Sequence, residues 1–336
     1  PRGDAGARAA IAAHHARRGA APSPEHVVLT AGTSEGYAHL FRVLADPGDA
    51  VHVPTPGYPL FEHLAELEGV AALPYPLRAP KPGSARWRVD LDAFAASLGP
   101  ASRAVVAIDP HNPTGSFVDP EDWASLRAIA HERGLAIVSD EVFADFACDG
   151  VAVPSGALAG AGDGPLHFVL SGASKVLALP QLKLAWIAVA GPPAARDEAL
   201  ARLEFAADAY LSVSPILARA LPALLAERAS IQAPLRARVA RSRAALADAL
   251  AGTRAELLPA EAGWCATVRV DGADEDALAR DLVERDGVLV QPGALFDLEV
   301  RGAAHLVVSL LPEPARFDAG VAALRAAIAR APGGHR

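Results

Sequence analysis

Between residues 27 and 190, short apolar runs alternate with stretches whose apolar positions recur at helical spacing. Runs at 27–29, 50–53, 104–108, 135–139, 167–170 and 185–190 read as buried strands. Helical patterns over 37–44, 58–67 and 119–133 lie between them. Such alternation predicts an α/β fold, a mostly parallel sheet covered by helices. Residues 192–250 are helical in pattern, with breaks expected at Pro215, Pro222 and Pro234. Arg236, Arg238, Arg241 and Arg243 read as the solvated face of a long helix. From about residue 254 the pattern changes. A strand at 265–270, a helix at 275–285, short strands at 288–291 and 306–310 and a last helix at 314–330 predict a smaller C-terminal α+β domain. The expected division is a large domain over 1–242 and a small one over 243–336.

The 336 residues suffice for two domains and a large core. A net charge of −8 without a basic block argues against nucleic acid and anionic membranes as partners. No apolar run is long enough to cross a bilayer and no signal peptide opens the chain, so a cytoplasmic protein is expected. Two cysteines, Cys148 and Cys265, are too few for a disulfide framework and fit a reducing compartment. The eleven histidines show no metal-ligand spacing, and His14 and His15 read as lying on the polar side of a helix.

Four stretches carry candidate chemistry. Ser171-Gly172-Ala173-Ser174-Lys175 follows the apolar run at 167–170. A lysine delivered by a buried strand loses solvation, titrates lower and becomes a usable nucleophile and base. Asp109-Pro110-His111-Asn112-Pro113-Thr114-Gly115 closes the strand at 104–108 with a sharp turn. Asn112 is thereby aimed at the crevice where open α/β sheets bind ligands. Asp140 ends the strand at 135–139, either as a helix cap or as a counter-charge beneath a pyridine nitrogen. Gly32-Thr33-Ser34 opens a helix after the first strand, where backbone N–H groups suit a phosphate.

In this order the stretches resemble the class I/II aminotransferase family, the fold-type I pyridoxal-phosphate enzymes. Further matches are Asp46-Pro47-Gly48-Asp49, Val53-Pro54-Thr55-Pro56-Gly57-Tyr58-Pro59 and Val290-Gln291-Pro292-Gly293-Ala294-Leu295-Phe296. The resemblance implies a pyridoxal 5'-phosphate cofactor bound by the large domain as a Schiff base with Lys175. It implies Asp140 at the ring nitrogen, Asn112 at the phenolic oxygen and Tyr58 against the ring face. Gly32, Thr33 and Ser34 would hold the phosphate. It further implies exchange of an amino group between a small-molecule amino donor and a keto acceptor, in a homodimer. The segment from Gly3 to His15 resembles the helix that follows an N-terminal arm in this family, so the arm is expected to precede this sequence.

Four positions depart from the family pattern. Lys183 stands where a phosphate-binding arginine is usual, and it lacks the bidentate fork. Gly172 replaces a phosphate-binding serine, with Ser171 and Ser174 as possible substitutes. Phe143 replaces a tyrosine, leaving Asn112 alone on the phenolic oxygen. Val307 falls where an arginine usually clamps the substrate carboxylate, and Arg301 and Arg269 are the nearest candidates to replace it. Trp264 is a substrate-side wall by analogy, or a core residue. A β-lyase or decarboxylase on the same fold is the alternative, because the clamp helps choose the bond that breaks. A non-enzymatic sensor is disfavoured by intact Lys175, Asp140 and Asn112. A nicotinamide dehydrogenase is disfavoured because no Gly-x-Gly-x-x-Gly follows the first strand.

Overall fold

The computed structural model describes residues 1–19, 22–80, 84, 86–154, 156–158, 162, 164–211, 213–298 and 302–332. Its larger sheet holds β1 (Val27–Thr30), β2 (Ala50–Thr55), β3 (Ala71–Arg78), β4 (Arg88–Val89), β5 (Ser102–Ile108), β6 (Ala136–Asp140), β7 (His167–Gly172) and β8 (Ala185–Ala190). The spatial order is β1-β8-β7-β6-β5-β2-β3-β4. Strands β3, β2, β5, β6 and β7 run parallel to one another, while β4 is antiparallel to β3 and β8 is antiparallel to β7 and β1. The helices of this part are α1 (Ala5–Ala16), α2 (Thr33–Leu44), α3 (Phe61–Leu67), α4 (Leu91–Ser97), α5 (Pro120–Arg133), α6 (Ala173–Val176), α7 (Pro193–Tyr210), α8 (Pro215–Ala226) and α9 (Arg228–Leu250).

Both faces of the sheet are buried, which is why its strands read as unbroken apolar runs rather than alternating ones. On β8, Trp186 and Ala188 join one core with Ile11 and Leu126. Ile187 and Val189 join the other with Phe41 and Leu200. Helix α5 shows how its ends are set. Asp119 accepts from the Glu121 N–H at 2.9 Å, Pro120 takes the first turn, and Gly134 stops the helix at φ 66°.

The second sheet has the order β11-β12-β10-β9, from β9 (Ala255–Leu257), β10 (Cys265–Asp271), β11 (Gln291–Pro292) and β12 (Ala303–Ser309). Helices α10 (Glu275–Asp286) and α11 (Pro314–Arg330) cover it. Leu246 of α9 packs into this third core beside Val268, Leu306 and Phe317. Helix α9 runs unbroken through residues 242–243 and links the two sheets.

Several local expectations are corrected. Pro222 and Pro234 lie inside α8 and α9 and do not end them. Each removes one backbone donor, and the buried faces of both helices offset that cost. His14 and His15 are buried, not on a polar face, because α1 packs over β8 and the Trp186 indole donates to His15 Nε2 at 3.0 Å. Strand β3 carries Pro74 and Pro76 and bonds along its length only to β2, with two residues of β4 on its other side. A near-edge position tolerates such prolines, but they hide the strand from a pattern search.

Candidate active site

Parallel pairing aligns the ends of β5, β6 and β7, with Ile108 opposite Asp140 and Asp140 opposite Leu170. The turn after β5, the last residue of β6 and the short helix after β7 therefore meet at one edge of the sheet. They enclose a cavity of about 210 Å³ whose lining includes Thr33, Ser34, Tyr58, Asn112, Asp140, Phe143, Ser174 and Lys175. Eight of the expected site residues are thus brought together, and Gly32 immediately precedes Thr33.

Asp140 is the electrostatic centre of this cavity. Its carboxylate accepts from the Tyr37 hydroxyl at 2.9 Å and from the Val142 N–H at 3.1 Å. Burial pushes its pKa up, against those two hydrogen bonds and the charge of Lys175. Tyr37 was missed by the sequence reading. It lies four residues after Thr33 on α2, so the two share a helix face, and that spacing was the available signal.

Lys175 sits partly buried in α6. Burial lowers its pKa, opposed by Cys265 and Asp140. Its Nζ lies 5.2 Å from the ring centroids of both Phe143 and Trp264. Trp264 is buried and packs edge-on against Phe146 at 4.7 Å and Phe143 at 5.4 Å, so it is both core residue and wall beside the amine. The chain has three lysines, Lys81, Lys175 and Lys183. Lys81 is outside the described residues, and Lys183 is exposed at a left-handed φ of 51° outside the cavity lining.

At the start of α2, Gly32 adopts φ 130°, and no side chain caps the first-turn N–H groups. A residue with a Cβ would be strained there. With the Thr33 and Ser34 hydroxyls, this end can receive an anion. Tyr58 is 43% exposed and lines the cavity.

The structure explains one departure outright. A Cβ at Gly172 would come within 2.9 Å of Ala185 Cβ, so a serine does not fit between β7 and β8. Ser171 is buried within β7 opposite Trp186 and does not line the cavity, whereas Ser174 does. Val307 is 2% exposed in an apolar cluster with Phe296 and Leu298, flanked by Trp87 and Cys265. Arg269 lies on β10 opposite His305, one residue pair beyond Val307 on the same face, and pairs with Asp271 at 2.8 Å. Arg301 is outside the described residues. Among the described residues there is no cluster of three metal-ligating side chains, and no helix is long and apolar enough to cross a membrane.

An amine of lowered pKa, a buried carboxylate held by neutral donors, an aromatic face and a helix N-terminus converge on one cavity of a doubly covered α/β sheet. The family model for aminotransferase class I and II matches residues 1–313, and the chain belongs to that family. It is 32% identical over 322 residues to an arginine–pyruvate transaminase of Pseudomonas aeruginosa, covering 94% of this chain and 78% of that protein. It is 34% identical over 304 residues to a capreomycidine synthase of Streptomyces vinaceus, covering 88% and 72%. An alanine aminotransferase from Pyrococcus furiosus shares the fold with a TM-score of 0.86 at 20% identity, over 98% of this chain and 82% of that one.

Proposed function

We propose that this chain is a pyridoxal-phosphate-dependent transaminase that moves an amino group from a small-molecule donor to a keto acceptor, with Lys175 as the cofactor-bearing lysine. The observation that carries this reading is Asp140. Its buried carboxylate has only neutral hydrogen-bond donors and an elevated pKa, the state expected of a counter-charge made for a buried cation. The cofactor's pyridinium nitrogen is such a cation. The other residues also fit the group. Asn112 would hold its phenolic oxygen, Tyr58 its ring face, and Gly32, Thr33 and Ser34 its phosphate; Lys183 does not line the cavity.

When bound, the cofactor supplies an electrophilic carbon and an electron-withdrawing ring. The protein's part follows from its own groups. Lys175 Nζ, kept from full hydration by Phe143 and Trp264, would take the proton from the substrate α-carbon as base and hand it on to the cofactor as acid, the transfer that transamination requires. Its lowered pKa keeps more of the neutral amine present near pH 7 to 8. Asp140 would supply the counter-charge to the cofactor's ring nitrogen, and Tyr37 holds its Oδ2 in place. Exposed Phe205, Leu211 and Ile216 fit a homodimer, and the free thiols Cys148 and Cys265 fit a cytoplasmic location.

The test is a donor screen on cofactor-loaded protein without acceptor. Loss of the visible band of the lysine-bound cofactor, with release of a keto acid, is the expected result for at least one amino acid. A second reaction on this site, β-elimination or decarboxylation, is favoured by the burial of Val307 in an apolar cluster where a carboxylate clamp would stand. Release of pyruvate, ammonia and a leaving group, or of carbon dioxide, without accumulation of the aminated cofactor would select that reading.

A further inference from the structure

A second cavity, of about 490 Å³, lies behind the wall of the first. It is bounded by the segment after β6 (residues 146–149), the middle of α9 and the stretch 257–260 that follows β9. Its surface is mainly apolar, with Phe146, Val239 and Leu257 among its lining. Two guanidiniums also face it, Arg236 and Arg243, with the exposed carboxylate of Asp149 at the edge. Neither arginine has a carboxylate partner among the described residues. Arg236 donates to the Asp145 backbone carbonyl. Arg243 Nη2 donates to the Cys265 carbonyl at 3.1 Å, while its buried Nε has no partner. Arg243 also lies beside the Cys148 thiol.

The Arg243 Nε–H is buried without an acceptor, which is costly and rarely left so, while the Arg236 side chain is exposed. Apolar walls with a few convergent polar groups are the usual make-up of a small-molecule site, and this volume falls in the usual range. We infer that this cavity binds an organic carboxylate with an apolar body, its charge on Arg243 and Arg236 and its body against Phe146, Val239 and Leu257. Two cations against one carboxylate select an anion over a neutral or cationic ligand. Arg243 Nη2 serves the Cys265 carbonyl, and its unpartnered Nε–H remains to donate to a carboxylate oxygen.

The site stands apart from the catalytic cavity but touches its wall. Phe146 lines the new cavity and packs on Trp264, whose ring lies 5.2 Å from Lys175 Nζ. Arg243 also holds the carbonyl of Cys265, which follows Trp264 in the chain. The inference does not depend on the reaction proposed above.

The two cysteines give the test, because Cys148 lines the new cavity and Cys265 does not. Cofactor-loaded protein is alkylated at mildly alkaline pH with and without hexanoate, with hexanol as the neutral control, and the modified peptides are quantified by mass spectrometry. At ten times its Kd, hexanoate is expected to slow modification of Cys148 about tenfold. Hexanol should leave the rate unchanged. Arg243→Met should abolish the protection by removing the charge, and Ala244→Phe should abolish it by filling the space while leaving Arg243 in place. Protection of Cys265 alone, equal protection by hexanol, no protection of Cys148, or protection that survives both variants would each overturn the inference.

Discussion

The two sheets contrast sharply. On the large-sheet side every strand end delivers a polar group: Asn112 after β5, Asp140 on β6, Lys175 after β7. On the small-sheet side the corresponding positions are apolar, with Val307, Phe296 and Leu298 packed together and Cys265 against them. The two sheets have separate cores, joined through α9 and the Phe143, Phe146 and Trp264 contacts. One side can therefore keep the groups that suit a cofactor while the other changes its grip on the substrate. Under the proposed function, cofactor chemistry and substrate choice would fall to different cores of this chain.

Breaking the polar side should have the largest effect. Lys175→Ala is expected to remove the visible cofactor band and lower turnover by about 10⁴-fold, the upper range for a positioned acid–base group. Absorbance and single-turnover assays check both. Asp140→Asn should lower turnover by about 10²–10³-fold through loss of the buried charge, with weaker retention of cofactor on dialysis. The apolar side should respond in stability instead. Val307→Arg places a guanidinium among Phe296, Leu298 and Trp87 and should cost about 3 kcal/mol or more by urea unfolding, with no gain toward carboxylate-bearing donors.

A pH scan sharpens the contrast further. Burial lowers His14 to about 4 and His15 to about 3, so both fold in the neutral form beneath the polar side. Arg17 donates to His14 Nδ1 at 2.8 Å, and Asp145, which faces them, is held by Gln232 at 2.8 Å. Unfolded histidine titrates near 6.5. Below that pH the unfolded state binds the proton that the folded state refuses. Stability from these groups is thus present above about pH 6.5 and lost as pH falls toward 4, by about 1.4 kcal/mol per pH unit for each histidine. Thermal unfolding against pH measures the slope, and His15→Gln, which keeps an acceptor for the Trp186 indole, should reduce it. The smallest effect is expected for Tyr37→Phe. Loss of one hydrogen bond to Asp140 should cost about 1–2 kcal/mol and raise the carboxyl pKa further.

The sequence exposed the polar side well because its residues sit at the ends of apolar runs. Lys175, Asp140 and Asn112 each follow a strand whose pattern is unambiguous, and parallel pairing then brings those ends together. Residues whose role depends on another element were harder to see. Tyr37 is a helix residue until β6 places Asp140 against it. Gly172 reads as a missing serine until β8 brings Ala185 within reach of the absent Cβ. His14 and His15 look solvated until Trp186 is beneath them. The apolar side was legible only as a departure, since Val307 states what is missing and not that Phe296 and Leu298 fill the space.

The central claim is that Lys175 bears the cofactor, and the chain's three lysines make it directly testable. Protein loaded with pyridoxal 5'-phosphate is reduced with borohydride, digested, and the phosphopyridoxyl label located by mass spectrometry. The label is expected on the Lys175 peptide and absent from those of Lys81 and Lys183. Label on Lys183 or Lys81 with Lys175 unmodified, or no stable label, would contradict the account.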